Sequence, residues 1–188
     1  MRHILVNVTL YQLGWFALVL GAARGWPWAG AGVGLVLLAI HLVLARERRP
    51  ELLLVVAVGF LGTVVDSAQA FAGTFVFESG YWSYWVVPFW LTVMWMQFAT
   101  LFHFILAWLS GRYILSALLG AVGGPMAFLT GEKLGGVMFP MGTIYSLKIL
   151  GAVWFFVTPA CVFLADRYHP RIGTGSYRLQ ESRRSSED

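Results

Sequence analysis

The chain has 188 residues, 59% hydrophobic and 12% charged, with a mean hydropathy of +0.72. Soluble domains carry about 25% charged residues, so this composition excludes an ordinary soluble domain and indicates an integral membrane protein. The net charge of +4 is concentrated in short loops and in the tail, the pattern of membrane topology and not of a nucleic-acid-binding surface.

The amino terminus places Arg2 and His3 before an apolar run, as a signal peptide does. Asn7, Thr9 and Gln12 interrupt the run and Ala22-Ala23-Arg24 is a poor cleavage context, so it reads as a retained first helix. A spanning helix needs about 20 mostly apolar residues. Six segments qualify, at about 4–23, 28–45, 51–73, 87–110, 112–131 and 148–167. The predicted fold is therefore all-α, a bundle of six transmembrane helices over 1–168, followed by a polar tail, 169–188, expected to be disordered. Pro27, Pro50 and Pro88 mark helix entrances, where the missing N–H is harmless.

Between the third and fourth helices, Thr74–Val86 holds Phe75, Phe77, Tyr81, Trp82, Tyr84 and Trp85. It is expected as an interfacial loop with its rings at headgroup level. Leu134–Leu147 contains Gly135, Gly136, Pro140 and Gly142, and either lies on the outer surface or dips back into the membrane. Ten of the thirteen basic residues fall on one side: Arg2, Arg46, Arg48, Arg49, Arg112 and the five arginines from Arg167 onward. Arg24, Lys133 and Lys148 fall on the other, so the positive-inside rule puts both termini in the cytoplasm.

Small and polar residues mark the faces on which membrane helices pack. In the third helix Gly59, Gly62, Asp66, Gln69 and Gly73 recur at spacings of three and four, forming one stripe. The fifth carries Ser116, Gly120 and Gly124, with Gly123 and Pro125 beside them and a kink expected at the proline. The second adds Gly30 and Gly34, and the fourth has Met96, Thr100 and His103 on one face with Gln97 adjacent.

Asp66 is the outstanding candidate site residue, because a carboxylate inside a membrane helix costs about 2.5–3.5 kcal/mol on insertion scales. Its estimated depth is just outward of the middle, with Gln69 a turn further out. Gln97, Thr100 and Gln12 lie near mid-depth, His103 is deeper, and Asn7 is near the inner end. These groups are expected to converge on a polar core around Asp66. Two readings stay open: a binding or proton-accepting carboxylate, or interhelical glue with Gln12, Gln97 or Thr100. His41 reads as an interfacial residue near Arg46. A haem between His41 and His103 is disfavoured by their different depths.

The chain lacks HExxH, a histidine box, a P-loop, a GxGxxG after a strand and GxSxG. No metal, cofactor or catalytic residue is expected. The single cysteine, Cys161, excludes an intrachain disulfide. An enzyme using Asp66 and His103 as acid and base requires the two within hydrogen-bond reach.

Asn7…Gln12-Leu13-Gly14-Trp15, Gly62…Asp66-Ser67, Phe98-Ala99-Thr100-Leu101…His103 and Gly120…Gly123-Gly124-Pro125-Met126-Ala127 together resemble a family of small bacterial membrane proteins, domain of unknown function 2878. The resemblance covers helices one to five. It implies a multi-pass protein of the bacterial inner membrane, often encoded beside enzymes that modify unsaturated acyl chains of phospholipids. Its expected partners are then membrane lipids and a lipid-modifying enzyme, and its expected role is that of a non-catalytic accessory. A proton-coupled carrier or channel using Asp66 is the alternative. The chain departs from the family in having Leu101-Phe102, and no asparagine, before His103.

Overall fold

A computed structural model describes residues 2–81, 83 and 85–168. The tail expected to be disordered, and the loop residues Trp82 and Tyr84, lie outside the described residues. The apolar runs form α1 (Arg2–Ala23), α2 (Pro27–Leu44), α3 (Arg48–Phe71), α4 (Phe89–Ala99), α5 (Tyr113–Lys133) and α6 (Thr143–Arg167). All but α4 are long and apolar enough to cross a membrane. Successive helices run antiparallel. One end of the bundle carries Arg46, Arg48, Arg49, Arg112 and Arg167 and is called the arginine end; the other carries the two long connections and is called the loop end.

The fourth segment departs from the continuous helix expected over 87–110. Its α-helix stops at Ala99 and continues through tight turns to a 3-10 turn at Ala107–Leu109. Side chains cause the break. Thr100 donates its hydroxyl to the Gln97 carbonyl at 2.7 Å, while the Asn7 amide donates to the Thr100 carbonyl at 3.2 Å. The backbone then shifts to three-residue bonds, Thr100 N–H to Gln97, Leu101 to Phe98 and Phe102 to Ala99. Side-chain groups have competed successfully for the helical ladder. At the other extreme α6 starts five residues before the expected 148, where Ser146 donates to the Thr74 carbonyl at 2.7 Å.

Helix pairing follows the glycines. α5 packs along α6, α1 along α2 and α3 along α4, with α4 also touching α1 and α2. A Cβ at Gly120 would overlap Thr158 of α6, and one at Gly30 would meet the Ala17 carbonyl of α1 at 2.6 Å. Only glycine lets these backbones approach so closely.

The loop end is tied together by its two connections. Val76 and Met138 exchange both backbone hydrogen bonds at 2.9 Å. Beneath this bridge Phe75, Phe77, Val137 and Phe139 are buried, and Phe75 packs on Phe128 of α5 with ring centroids 4.8 Å apart and planes tilted by 35°. This corrects the expectation for the aromatic loop: Phe75 and Phe77 turn into the bundle, and Tyr81 and Trp85 remain exposed. Gly73 and Gly135, both at positive φ, end α3 and α5. Each allows the next residue's N–H to reach back to the helix, Thr74 to Gln69 and Gly136 to Gly131.

Candidate functional site

The stripe on α3 is a seat for aromatic rings. A Cβ on Gly62 would fall inside the indole of Trp95, and one on Gly59 would lie 2.7 Å from Met96. Because Trp95 lies flat on Gly62, its N–H reaches Asp66 Oδ2 at 2.6 Å; the other carboxylate oxygen accepts from Gln69 Nε2 at 3.2 Å. On its far face Trp95 stacks on Trp154 of α6, with centroids 4.9 Å apart and planes 15° from parallel. Trp154 in turn lies on Gly124 of α5. Two indoles are thus stacked between glycines of α3 and α5, with Asp66 fixing the tilt of the first.

Beside this stack runs a cavity of about 270 Å³ between α1 and α5, just below the roughly 300–1,000 Å³ typical of ligand pockets. Tyr11, Trp15 and Val19 form its α1 wall, and Leu119, Gly123 and Ala127 its α5 wall. Trp90, Trp95 and Phe98 close the back, and Asp66 contributes to the wall beside Trp95. Leu106 and Leu109 line it at the arginine end, Phe77 and Val137 at the loop end. From Leu119 to Gly131 the α5 wall extends roughly 18 Å at 1.5 Å per residue. Spread over that length, this volume is a slot and not a chamber. Leu119 and Gly123 at its rim are exposed, so the slot opens sideways, between helices.

A second polar cluster lies at the arginine end and joins five segments of the chain. Glu51, in the first turn of α3, bridges two histidines: Oε1 lies 2.8 Å from His41 Nε2 and Oε2 lies 2.7 Å from His103 Nδ1. His103 Nε2 reaches the Ala165 carbonyl of α6 at 3.1 Å, and His41 Nδ1 lies 3.3 Å from Asn7 Nδ2 of α1. Asn7, Glu51 and His41 are buried, Glu51 to 4% exposure and His41 to 5%, and His103 is partly buried.

The acceptors define where the protons are. A carbonyl only accepts, so His103 carries hydrogen on Nε2. Its Nδ1 and the Glu51 oxygen would otherwise oppose lone pair to lone pair, so one proton lies between them. The Thr100 carbonyl likewise fixes the Asn7 amide with its NH₂ towards Thr100 and His41. His41 Nδ1 is therefore an acceptor, and its hydrogen sits on Nε2, facing Glu51. The cluster is one shared proton, one carboxylate and two imidazoles, with no net charge. Neither histidine offers a lone pair to iron, and among the described residues no group of three or more His, Cys, Asp or Glu is arranged to hold a metal ion.

The polar core expected around Asp66 is therefore two sites. Asp66 bonds Gln69 and Trp95, and His103 bonds Glu51, fifteen residues from Asp66 on α3, or about 22 Å along the helix. That separation rules out Asp66 and His103 as an acid–base pair. Gln12 is exposed on α1 and meets neither site. Gln97 donates to the Gly34 carbonyl at 2.8 Å and fills the space left by Gly14. Asn7, Thr100 and His103 do come together, around Glu51 and His41. His41 is buried in the cluster and is not interfacial as expected. Glu51 was missed because an acidic residue after an arginine-rich turn reads as a solvated helix start. It also supplies His103 with the polar partner that Leu101-Phe102 does not.

A family model described as "Protein of unknown function (DUF2878)" matches residues 4–160, and the chain belongs to that family. No curated protein and no solved structure matches it.

Proposed function

We propose that this membrane protein of the DUF2878 family holds an acyl chain of a membrane lipid in the slot between α1 and α5, as a non-catalytic accessory to lipid modification. The observation that carries the reading is the slot itself: long, narrow, aromatic-walled and open sideways to the apolar exterior. A water-soluble ligand has no route to such an opening, whereas a lipid chain lies beside it. The arginine end is the cytoplasmic end in this reading, by the positive-inside rule, with both termini inside and the chain in a bacterial inner membrane. The partner is an enzyme acting on phospholipid acyl chains, a setting implied by the family resemblance.

A phospholipid with a photoreactive diazirine in mid-chain tests the reading in proteoliposomes. Adducts are expected at Tyr11, Trp15, Leu119 and the 123–127 segment. Gly123→Phe should abolish them, because a Cβ at Gly123 meets no atom within 4 Å and the ring is free to fill the slot. Adducts spread evenly over outward residues such as Phe60, Ile114 and Phe156, and indifferent to Gly123→Phe, would refute it. The accessory role has its own test, since an unchanged phospholipid acyl profile on gene deletion counts against it.

One observation favours a second reading, a proton-coupled carrier: a fully buried carboxylate, Asp66, borders the slot. It requires that Asp66→Asn remove a pH-dependent flux in proteoliposomes while the protein stays folded.

A further inference from the structure

The two walls of the slot change in step along its length. On α5 the rim residues Leu119 and Gly123 are exposed, Ala127 is half-buried and Gly131 is buried. On α1 Tyr11 is half-buried, while Trp15 and Val19, successively nearer the loop end, are buried. Both helices run from the arginine end to the loop end, so both walls close in the same direction. The slot is open in its arginine-end half and shut in its loop-end half.

Backbone makes the closure. A Cβ on Gly136 would meet Val19 Cγ1 at 3.2 Å and the Val19 carbonyl at 3.3 Å, and one on Gly135 would lie 3.7 Å from the Cβ of Ala23. The connection after α5 therefore lies directly on α1. Phe77 and Val137, both buried, line the slot at this shut end. Arg24 and Lys133 are the basic residues that follow α1 and end α5 there, but no opening leads from them into the slot.

The open end has a different neighbour. Arg112 donates its N–H to the carbonyl of Leu109 at 2.8 Å, and Leu109 lines the slot at the arginine end. Arg112 precedes Leu119 by seven residues, so the two share a face of α5, about 10 Å apart along the axis. Arg112 is exposed, and its guanidinium makes no hydrogen bond or ion pair with a described residue. Asp166 fixes the turn around it, accepting from the Ser110 hydroxyl at 2.6 Å, the Gly111 N–H at 3.2 Å and the Tyr113 hydroxyl at 3.0 Å. Arg46, Arg48, Arg49 and Arg167 share this end with Glu47 and Asp166, so among the described residues its charge is positive. A guanidinium pairs with phosphate through forked, charge-assisted hydrogen bonds.

We propose that the slot takes its acyl chain from a phospholipid of the arginine-end leaflet, with the phosphate at Arg112 and the methyl end directed towards Phe77 and Val137. The inference rests on the acyl-chain reading and adds to it a headgroup chemistry, a leaflet and a direction. A chain entering from the opposite leaflet meets the connection lying on α1, and a lipid without a phosphate leaves Arg112 unused.

Two phosphatidylglycerols test the direction in proteoliposomes of the full chain, one with a diazirine near the ester and one near the methyl end of the same acyl chain. The first should label Tyr11 and Leu119, the second Val19 and the 127–131 segment. The reverse order overturns the proposal and leaves the acyl-chain reading intact, whereas slot residues labelled by neither probe overturn both. Competition tests the headgroup. Unlabelled phosphatidylglycerol should displace the probes about fivefold more effectively than diacylglycerol with the same chains, the attraction one arginine adds near a membrane surface. In Arg112→Gln the two competitors should become equal, and Arg112→Lys should keep part of the preference. Equal competition in the natural protein, or a preference unchanged in Arg112→Gln, overturns the proposal. Should Arg112→Gln fail to fold, the competition in the natural protein decides.

Discussion

Replacing Glu51 separates hydrogen bonding from charge in the buried cluster. Glutamine has the same shape, one acceptor and one NH₂ donor. In Glu51→Gln the amide oxygen still accepts from His41 Nε2, and the amide NH₂ donates to His103 Nδ1, now an unprotonated acceptor. Every bond is kept and no ion pair remains. Interhelical hydrogen bonds in membranes are worth about 0.6 kcal/mol on average, and at most about 1.7. Trading charge-assisted for neutral bonds therefore loses about 1 kcal/mol per bond, and relief from burying an ion pair offsets much of it. Glu51→Gln should fall within about 1 kcal/mol of the natural protein. Glu51→Ala removes both bonds and leaves His41 and His103 without this partner, which costs about 1–3 kcal/mol for each buried polar group left unpaired. Reversible unfolding in mixed micelles measures both variants against the natural protein. Glutamine as damaging as alanine would refute the proton assignment.

The glycine seats predict a graded pattern by thermal unfolding in detergent. Gly62→Ala and Gly124→Ala drive a methyl into Trp95 and Trp154 and should cost about 1–3 kcal/mol each, whereas Gly123→Ala, facing open space, should be close to silent. Trp95→Phe removes the donor 2.6 Å from Asp66 and should cost about 1–3 kcal/mol. Adding Asp66→Asn should recover part of that, and full additivity in this double-mutant cycle would contradict the bond. Cys161 is fully buried, so a membrane-permeant maleimide should label it only after unfolding; rapid labelling of the folded protein would refute its placement.

What could be read from the sequence was local. Apolar runs located the helices because a membrane crossing is a property of consecutive residues. The Gly59–Gly62–Asp66–Gln69 stripe was legible because residues three and four apart share a helix face. What the stripe faces was not, since Trp95 and Trp154 look like any membrane aromatics until α4 and α6 are placed. The end of α4 was hidden for the same reason. Thr100 breaks the helix with help from Asn7, ninety-three residues away, and no window of hydropathy contains both. Glu51 and His41 illustrate the limit most clearly. Each lies beside the arginine-rich turn and reads singly as solvated, and only the folding of α1, α4 and α6 over that turn removes them from water.

The placement of the two buried carboxylates gives α3 a role that neither site has alone. Glu51 and Asp66 are held on one helix, about 22 Å apart along its axis, and each bonds the α4 chain: Asp66 through Trp95, Glu51 through His103. Between these two fixings the α4 chain changes from α-helix to turns, at Thr100. A chain fastened at two points and broken between them moves past the break only when the second fixing, His103 on Glu51, is lost, and the segment then freed bears Leu106 and Leu109. Motion at the arginine end therefore reaches one end of the slot while the Trp95–Trp154 stack keeps the rest in place. The two stability series above probe these fixings separately, and loss of Glu51 should loosen 101–109 without disturbing the Trp95–Asp66 bond.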